Sequence, residues 1–161
     1  MTAFRCHAGQ QERTGLAGSA CRCTPDQVAR YQGKLSGPLL DRIDLQVEVA
    51  AVAPAEMLAQ PAGEASAVVA ERVQQADALQ QARQGCANSA LAGAALDQHC
   101  ALDAAAKHFL QQAATRLGWS GRSLHRALTV ARTIADLAGT ARFGVPHLAE
   151  AMQYRRVLVS A

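Results

Sequence analysis

The amino-acid sequence predicts a mainly α-helical protein, in which a short helix and a single β-strand precede a helical bundle. Half of the 161 residues are apolar but only 4% are aromatic. A core would therefore be built from Ala, Leu and Val, and Ala and Leu favour packed helices. Apolar residues recur at helical spacing after residue 65. The strict alternation typical of a strand is convincing only at residues 43–49.

The sequence of residues 1–34 predicts an irregular segment followed by a short helix. Residues 1–22 are rich in Gly, Gln, Arg and Cys and show neither helical nor strand periodicity. Thr24 is a natural N-cap and Pro25 suits the first helical position. We expect this helix to run to about Lys34, before the break at Ser36-Gly37-Pro38.

The predicted strand raises a question of pairing. Its alternation places Ile43, Leu45, Val47 and Val49 on one side, opposite Asp44, Gln46 and Glu48. A lone strand leaves its backbone N–H and C=O groups without partners. We therefore expect it to pair with polypeptide outside this chain or with a second copy, as in a truncated protein.

The remainder predicts a linker and then a helical domain. Residues 51–64, with Pro54 and Pro61, have the composition of a linker, and residues 65–161 that of helices with short connections. The helices are expected at about 65–84, 91–99, 103–117, 121–138 and from Val145 onwards. Two apolar stripes mark the first and fourth of these: Val69, Val73, Ala76 and Leu79; Leu124, Leu128, Ala131, Ala135 and Ala138.

Charge and cysteine usage restrict the environment and the partners. Residues 101–161 hold 8 Lys/Arg against 3 Asp/Glu, whereas residues 1–100 hold 8 against 10. An anionic partner would therefore meet the C-terminal helices. The five cysteines form no regular framework, no apolar leader follows Met1, and no stretch approaches the roughly 20 apolar residues that span a bilayer. These features predict a cytoplasmic protein with reduced thiols and no membrane association.

Three stretches carry a resemblance to a known family. They are CRCTP at 21–25 with YQGKLSGPLLDRID at 31–44, LGWSGRSLHR at 117–126, and VARTIADLAG at 130–139 followed by HLAEAMQYR at 147–155. Together they resemble the C-terminal part of the competence-associated, magnesium-chelatase-like AAA+ ATPases of the ComM/YifB type. The resemblance covers about residues 21–156 and keeps its order throughout.

The resemblance implies a division of the chain and a function. Residues 23–50 would be the end of the AAA+ nucleotide-binding core, with the strand completing its parallel sheet, and residues 65–161 the helical lid. The full-length protein would bind ATP and Mg, form a hexameric ring with neighbouring subunits and act on DNA, as in branch migration during uptake of transforming DNA.

The sequence departs from that family in two respects. A P-loop needs G-x-x-x-x-G-K-[ST], but Gly33-Lys34 is followed by Leu35 and lacks the first glycine, and no apolar run ends in Asp-Glu. We therefore expect the chain alone neither to bind ATP tightly nor to hydrolyse it. The family also has a second cysteine pair upstream of Cys21 and Cys23. Residues 1–20 do not reproduce it, so we expect this beginning to be foreign to the family, from a misplaced start or a frame change.

Arg42 enters the predicted strand after Leu39-Leu40-Asp41. By resemblance it is the candidate arginine finger, which reaches the nucleotide of a neighbouring subunit and stabilises charge developing on the γ-phosphoryl group. The structural alternative is a surface arginine paired with Asp41 or Asp44, a contact that contributes about 0–1 kcal/mol.

Arg122 lies in the first turn of the helix that Ser120 caps. A cation is poorly placed at the positive end of a helix dipole, unless an anion is held there jointly by the guanidinium and the helix N-terminus. That arrangement is expected of a lid arginine that contacts the nucleotide, the second sensor of such ATPases. The alternative is a side chain that points into solvent. Arg126 and Arg132 lie on the polar side of the same helix, where Arg132 could pair with Asp136; we assign them no chemistry.

The remaining candidates are weak. Cys21 and Cys23 are spaced more tightly than usual zinc ligands, although Cys6 and His7 could complete a set of four. Cys86 and Cys100 are expected to be buried or inert thiols.

Two other functions remain open. The helices at 103–117 and 121–138 are joined by a short turn, as in a helix-turn-helix, so a stand-alone DNA-binding module is possible, with Arg122, Ser123 and Arg126 heading a recognition helix. A non-catalytic oligomerisation fragment is the other possibility, in which the strand pairs with a partner chain.

Overall fold

A computed structural model describes residues 63–155 without interruption and, before them, residues 24, 26, 30, 34, 39, 42–47, 55 and 58. The chain divides into two compact units. One comprises residues 1–42 and 48–63, and the other comprises residues 43–47 and 64–161. In the first unit, Asp26 and Arg30 are helical and Lys34 lies in a turn, as predicted. Ala55 and Leu58 are also helical, within the range predicted to be a linker.

Apart from residues 43–47 and short connections, the described part of the second unit is helical, which confirms the mainly α-helical fold. Its elements are α1 (Ser66–Gln84), a 3₁₀ turn (Asn88–Ala90), α2 (Gly93–His99), α3 (Ala104–Leu117), α4 (Gly121–Leu137) and α5 (Val145–Gln153). All five α-helices lie where the sequence predicted them.

Local chemistry sets the ends of these helices. The Asp103 carboxylate accepts a hydrogen bond of 2.7 Å from the Ala106 N–H at the start of α3. The Ser120 hydroxyl accepts one of 3.2 Å from the Ser123 N–H at the start of α4. Gly118 ends α3 in the left-handed region, at φ 61°, where a residue with a Cβ would be strained.

Helix α4 is the centre of the second unit. It packs against α1, α5 and the 3₁₀ turn, while α3 packs against α5. Three of its alanines, Ala127, Ala131 and Ala135, have no exposed surface. Because alanine has a small side chain, helices approach closely at these positions, and larger residues such as Leu96 and Leu148 fill the remaining space.

The apolar stripe of α1 is less buried than the sequence predicted. Of the four predicted residues only Ala76 is buried, whereas Val69, Val73 and Leu79 are 39%, 55% and 46% exposed. The reason is that α1 contacts α4 near its C-terminal end, where Gln80 is also buried. Helical spacing located the helix correctly but did not show how much of it is covered.

The strand predicted at 43–49 is not confirmed. Residues 43–47 have no strand pairing, and residues 48 and 49 lie outside the described residues. The side expected to be buried is exposed, since Ile43, Leu45 and Val47 are 38%, 52% and 64% exposed. The segment instead contacts the residue that follows α5, because the Gln46 N–H donates to the Tyr154 carbonyl at 2.7 Å.

A buried ionic network joins α1, the 3₁₀ turn and α4. Its centre is the Asp136 carboxylate, which accepts hydrogen bonds from Arg83 at 2.6 and 2.9 Å, from Arg132 at 2.7 and 3.2 Å, and from the Asn88 amide at 2.8 Å. Arg132 also donates to the carbonyls of Thr140 and Ala141. The sequence placed Arg132 on a polar face, but it is 2% exposed and lies 5.5 Å from the Phe143 ring centroid. Its predicted pairing with Asp136 is confirmed.

The network shifts the ionisation of its members. Burial alone would raise the pKa of Asp136, but hydrogen bonds from Arg83, Asn88 and Arg132 outweigh it and hold that pKa below its usual value. The hydrogen bond to Asp136 in turn raises the pKa of Arg83. Burial also raises the pKa of the nearby Cys100 thiol to about 11. The expected burial of Cys100 is confirmed.

Replacing Asp136 with asparagine should destabilise the protein strongly, because two guanidinium groups would lose their shared counter-charge in a buried site. Breaking a buried pair costs about 3–5 kcal/mol, which urea unfolding followed by circular dichroism would measure. Asp77→Asn, at an exposed position of α1, is the control and should change stability by less than about 0.5 kcal/mol. Equal effects of the two variants would contradict the central role of Asp136.

The free energy of unfolding should depend on pH through the same carboxylate. A lowered carboxyl pKa contributes stability above the unfolded-state pKa, and this stability is lost as pH falls through the lower folded-state value. The wild-type protein should therefore lose stability below about pH 4. Asp136→Asn should show a weaker pH dependence, so the two stability curves should converge in acid. Parallel curves would show that Asp136 titrates normally.

Candidate functional site

A groove of about 750 Å³ runs along α4 in the second unit. Its walls include the apolar side chains of Leu91, Val130, Ile134 and Leu137. At the N-terminal end of α4 the lining becomes basic and polar: Arg122, His125, Arg126 and Thr129. The groove therefore has an apolar part and a cationic end, an arrangement suited to a ligand with both apolar and anionic groups.

Arg122 lies at the cationic end of the groove, in the first turn of α4. It occupies the second position of α4, is exposed, and forms no hydrogen bond or ion pair with the residues that the structure describes. The first turn of α4 contains no acidic residue. The Ser120 hydroxyl accepts from the Ser123 N–H. The positive end of the helix dipole and the Arg122 guanidinium lie at the same end of the groove, where both can act on an anion.

Arg126 lies one turn further along the same face and is paired with Asp44. The pair joins α4 to residues 43–47, which we call the 43–47 segment. Both side chains are partly exposed, at 34% for Arg126 and 44% for Asp44. The Asp44 carboxylate, one of the partners proposed from sequence for Arg42, is thus bound to Arg126.

Arg155 also contacts the 43–47 segment and is 8% exposed. Its guanidinium donates to the Ile43 carbonyl at 3.2 Å and to the Ser123 hydroxyl at 3.3 Å. It also lies 5.8 Å from the centroid of the Trp119 ring, within the range of a cation–π contact. Arg155 therefore contacts both the 43–47 segment and the first turn of α4.

Arg42 belongs to the first unit and is described by its backbone and exposure. Its N–H donates to the Leu39 carbonyl at 3.0 Å, and the residue is exposed. No ion pair joins it to another residue in the described ranges. The proposed finger role stays a prediction.

The cysteines and the histidine considered as zinc ligands are Cys21 and Cys23, with Cys6 and His7, and all four lie outside the described residues. Within the described ranges, no group of three or more His, Cys, Asp or Glu side chains could hold a metal ion. Nor does any helix there combine the length and apolar character required to cross a bilayer.

Sequence reasoning missed three residues of this region: Asp44 as a partner of Arg126, Arg155, and Tyr154. The spacing of Arg122 and Arg126 does place both on one helical face, which was a usable signal. In contrast, Asp44 and Arg126 are 82 residues apart, and Arg155 and Ile43 are 112 apart. No periodicity or motif connects such distant positions.

Comparison with known families identifies both parts of the chain. The family described as "Magnesium chelatase, subunit ChlI C-terminal" matches residues 63–155, and "Magnesium chelatase, subunit ChlI" matches residues 1–57. The second match corrects the expectation that residues 1–20 are foreign to the family, because it begins at residue 1.

Relatives with similar sequences agree with this assignment. The chain is 40% identical over 142 residues to "Competence protein ComM" of Haemophilus influenzae, a match that covers 88% of the chain and 28% of that relative. It is 41% identical over 142 residues to YifB of Salmonella typhimurium, covering 87% and 28%, and 35% identical over 140 residues to Mb2921c of Mycobacterium bovis, covering 84% and 28%. The chain thus spans about 28% of the length of these relatives. It belongs to the magnesium chelatase ChlI family, as a ComM-type, magnesium-chelatase-like AAA+ protein.

Proposed function

We propose that this chain supplies the lid and the arginine finger of a ring-forming AAA+ ATPase, in which Arg122 senses the nucleotide of its own subunit and Arg42 acts on that of a neighbour. The observation that carries the proposal is the cationic end of the groove. There an exposed arginine lies at a helix N-terminus without an acidic partner among the described residues. ATP with Mg would be bound by the AAA+ core of the full-length protein.

Arg122 suits a sensor because its charge can meet a phosphate together with the helix dipole. The guanidinium can form two parallel hydrogen bonds to phosphate oxygens, and the N-terminal N–H groups of α4 favour negative charge at the same place. Leu91, Val130 and Ile134 form an apolar wall of the groove. A nucleotide bound against that wall would displace water from it, which strengthens the interactions of the phosphates.

The parent protein is proposed to act on DNA. The Haemophilus influenzae relative is named a competence protein. That name and the family resemblance support an ATP-dependent activity on DNA. The basic balance of residues 101–161 supports an anionic partner. Branch migration driven by a hexameric ring is the specific activity that we propose.

A stand-alone helix-turn-helix module has less support. A recognition helix presents its first residues to the major groove of DNA. Here Ser123 is 2% exposed and Arg126 is paired with Asp44. Of the three residues expected to head that helix, only Arg122 is both exposed and without an ion-pair partner among the described residues. Helix α4 is also the central helix of the packed unit rather than a surface element.

Replacing Arg122 with alanine should weaken ATP binding by the assembled ATPase. A suitable protein is a chimera in which this chain replaces the matching 142-residue region of the Haemophilus influenzae relative. Loss of one charge-assisted hydrogen bond should raise KM for ATP by about 10- to 100-fold. Arg116→Ala removes an exposed arginine near the end of α3 and is the matched control. An unchanged KM in Arg122→Ala would refute the sensor role.

Replacing Arg42 with alanine should abolish ATP hydrolysis. Subunits that keep Arg42 should restore this activity when they are mixed with the variant. An arginine finger contributes about 10³-fold or more to kcat, so Arg42→Ala chimeras should be nearly inactive. A second chimera that keeps Arg42 but lacks its P-loop lysine should also be inactive. Mixing the two should restore ATP hydrolysis, because the intact arginine of one subunit reaches the intact site of the other. Activity that stays absent after mixing would contradict action in trans.

A further inference from the structure

The 43–47 segment is attached to the helical residues of the second unit by three contacts. The Gln46 N–H donates to the Tyr154 carbonyl at 2.7 Å. The Arg155 guanidinium donates to the Ile43 carbonyl at 3.2 Å. The Asp44 carboxylate pairs with Arg126 on α4. Because these contacts involve three of the five residues, the whole segment is held rather than one point of it.

The attachment reaches the helical turn that carries the proposed sensor. Arg155 is 8% exposed and bonds to the Ser123 hydroxyl as well as to the segment. Ser123 follows Arg122 directly in the first turn of α4, and Trp119 lies beside the same guanidinium. One buried arginine thus joins the backbone of the segment to the N-terminal end of α4.

We propose that Asp44, Arg126 and Arg155 are positioning residues that couple the proposed sensor to the proposed finger. Arg42 directly precedes Ile43 in the sequence, and consecutive Cα atoms are about 3.8 Å apart. A movement of α4 that follows contact of Arg122 with nucleotide is therefore transmitted through the 43–47 segment to Arg42. This inference rests on the proposed function, since it assigns a linkage to the same two arginines.

The coupling gives neighbouring nucleotide sites a physical connection. The sensor contacts the nucleotide of its own subunit, whereas the finger contacts that of the next. An error of about 1 Å in the placement of a catalytic group can cost about 100-fold in rate. Loosening the 43–47 segment therefore reduces kcat through Arg42, while nucleotide binding at Arg122 is retained.

The Asp44–Arg126 pair is the contact best suited to a test. Both side chains are more than a third exposed, so the pair contributes little to the stability of the fold. The chain offers a matched control in Arg72 and Glu64, another exposed pair, joined at 2.8 Å, with side chains 53% and 44% exposed. Arg72→Ala removes a comparable ion pair at the start of α1, away from the 43–47 segment.

The attachment itself can be measured on the 161-residue chain by amide hydrogen exchange. In the wild-type protein the Gln46 N–H should be protected by its bond to Tyr154. Asp44→Ala should accelerate its exchange by about two- to fivefold while leaving the amides of α4 protected, and Arg72→Ala should not. Fluorescence of Trp119, the single tryptophan, reports the same release. Unchanged exchange at Gln46 in Asp44→Ala would overturn the inference.

The coupling is then measured as ATP hydrolysis by the chimera. Asp44→Ala should lower kcat by about tenfold and leave KM for ATP within about twofold. The conservative Asp44→Glu should restore most of the rate, and Arg72→Ala should have no effect. A rise in KM with unchanged kcat, or released exchange with unchanged hydrolysis, overturns the coupling and leaves the proposed function intact. If Arg42→Ala itself leaves hydrolysis unchanged, the proposed function is wrong and the coupling with it.

Discussion

The fold of the helical unit depends on one buried carboxylate. Asp136 binds two guanidinium groups and one amide, and these come from α1, the 3₁₀ turn and α4 itself. Arg132 extends the network to the two carbonyls that follow α4. Alanine and leucine side chains differ little in shape from one position to the next. A core built mainly from them therefore does little to fix the angle between helices. The directed, fully satisfied bonds around Asp136 supply that orientation, which the apolar contacts alone do not.

The two ends of α4 have opposite electrostatic character. Near the C-terminal end the charges are buried and mutually satisfied, so that region has a structural role. At the N-terminal end the charges are exposed or partly exposed, the apolar wall of the groove is open, and Arg122 has no acidic partner among the described residues. A helix that is rigidly held at one end can present the other in a fixed position, which is what a nucleotide sensor requires. The buried charges and the proposed nucleotide sensor thus lie at opposite ends of one helix.

The sequence predicted the helices well and the contacts between distant residues poorly. Helical spacing and the cap at Ser120 are local signals, and each located a boundary correctly. The strand prediction was not confirmed. Alternation shows which residues share a side, but it does not show whether other residues cover that side. Ile43, Leu45 and Val47 are exposed. Arg132 was misjudged for a related reason. Its burial requires Asp136, Thr140, Ala141 and Phe143 to surround it at once, and no single spacing reveals that.

The different burial of the two ion pairs on α4 has a consequence for their response to ionic strength. Mobile ions screen exposed charges over about 8 Å at physiological salt and about 3 Å at 1 M, but they do not enter a packed interior. The Arg132–Asp136 pair, with side chains 3% and 1% exposed, is therefore insulated from the electrolyte, whereas the Arg126–Asp44 pair is not. Concentrated salt would weaken the ion pair between the 43–47 segment and α4 while the network around Asp136 stays intact. One helix thus carries an ion pair that salt weakens, Arg126–Asp44, and another that salt leaves unchanged, Arg132–Asp136.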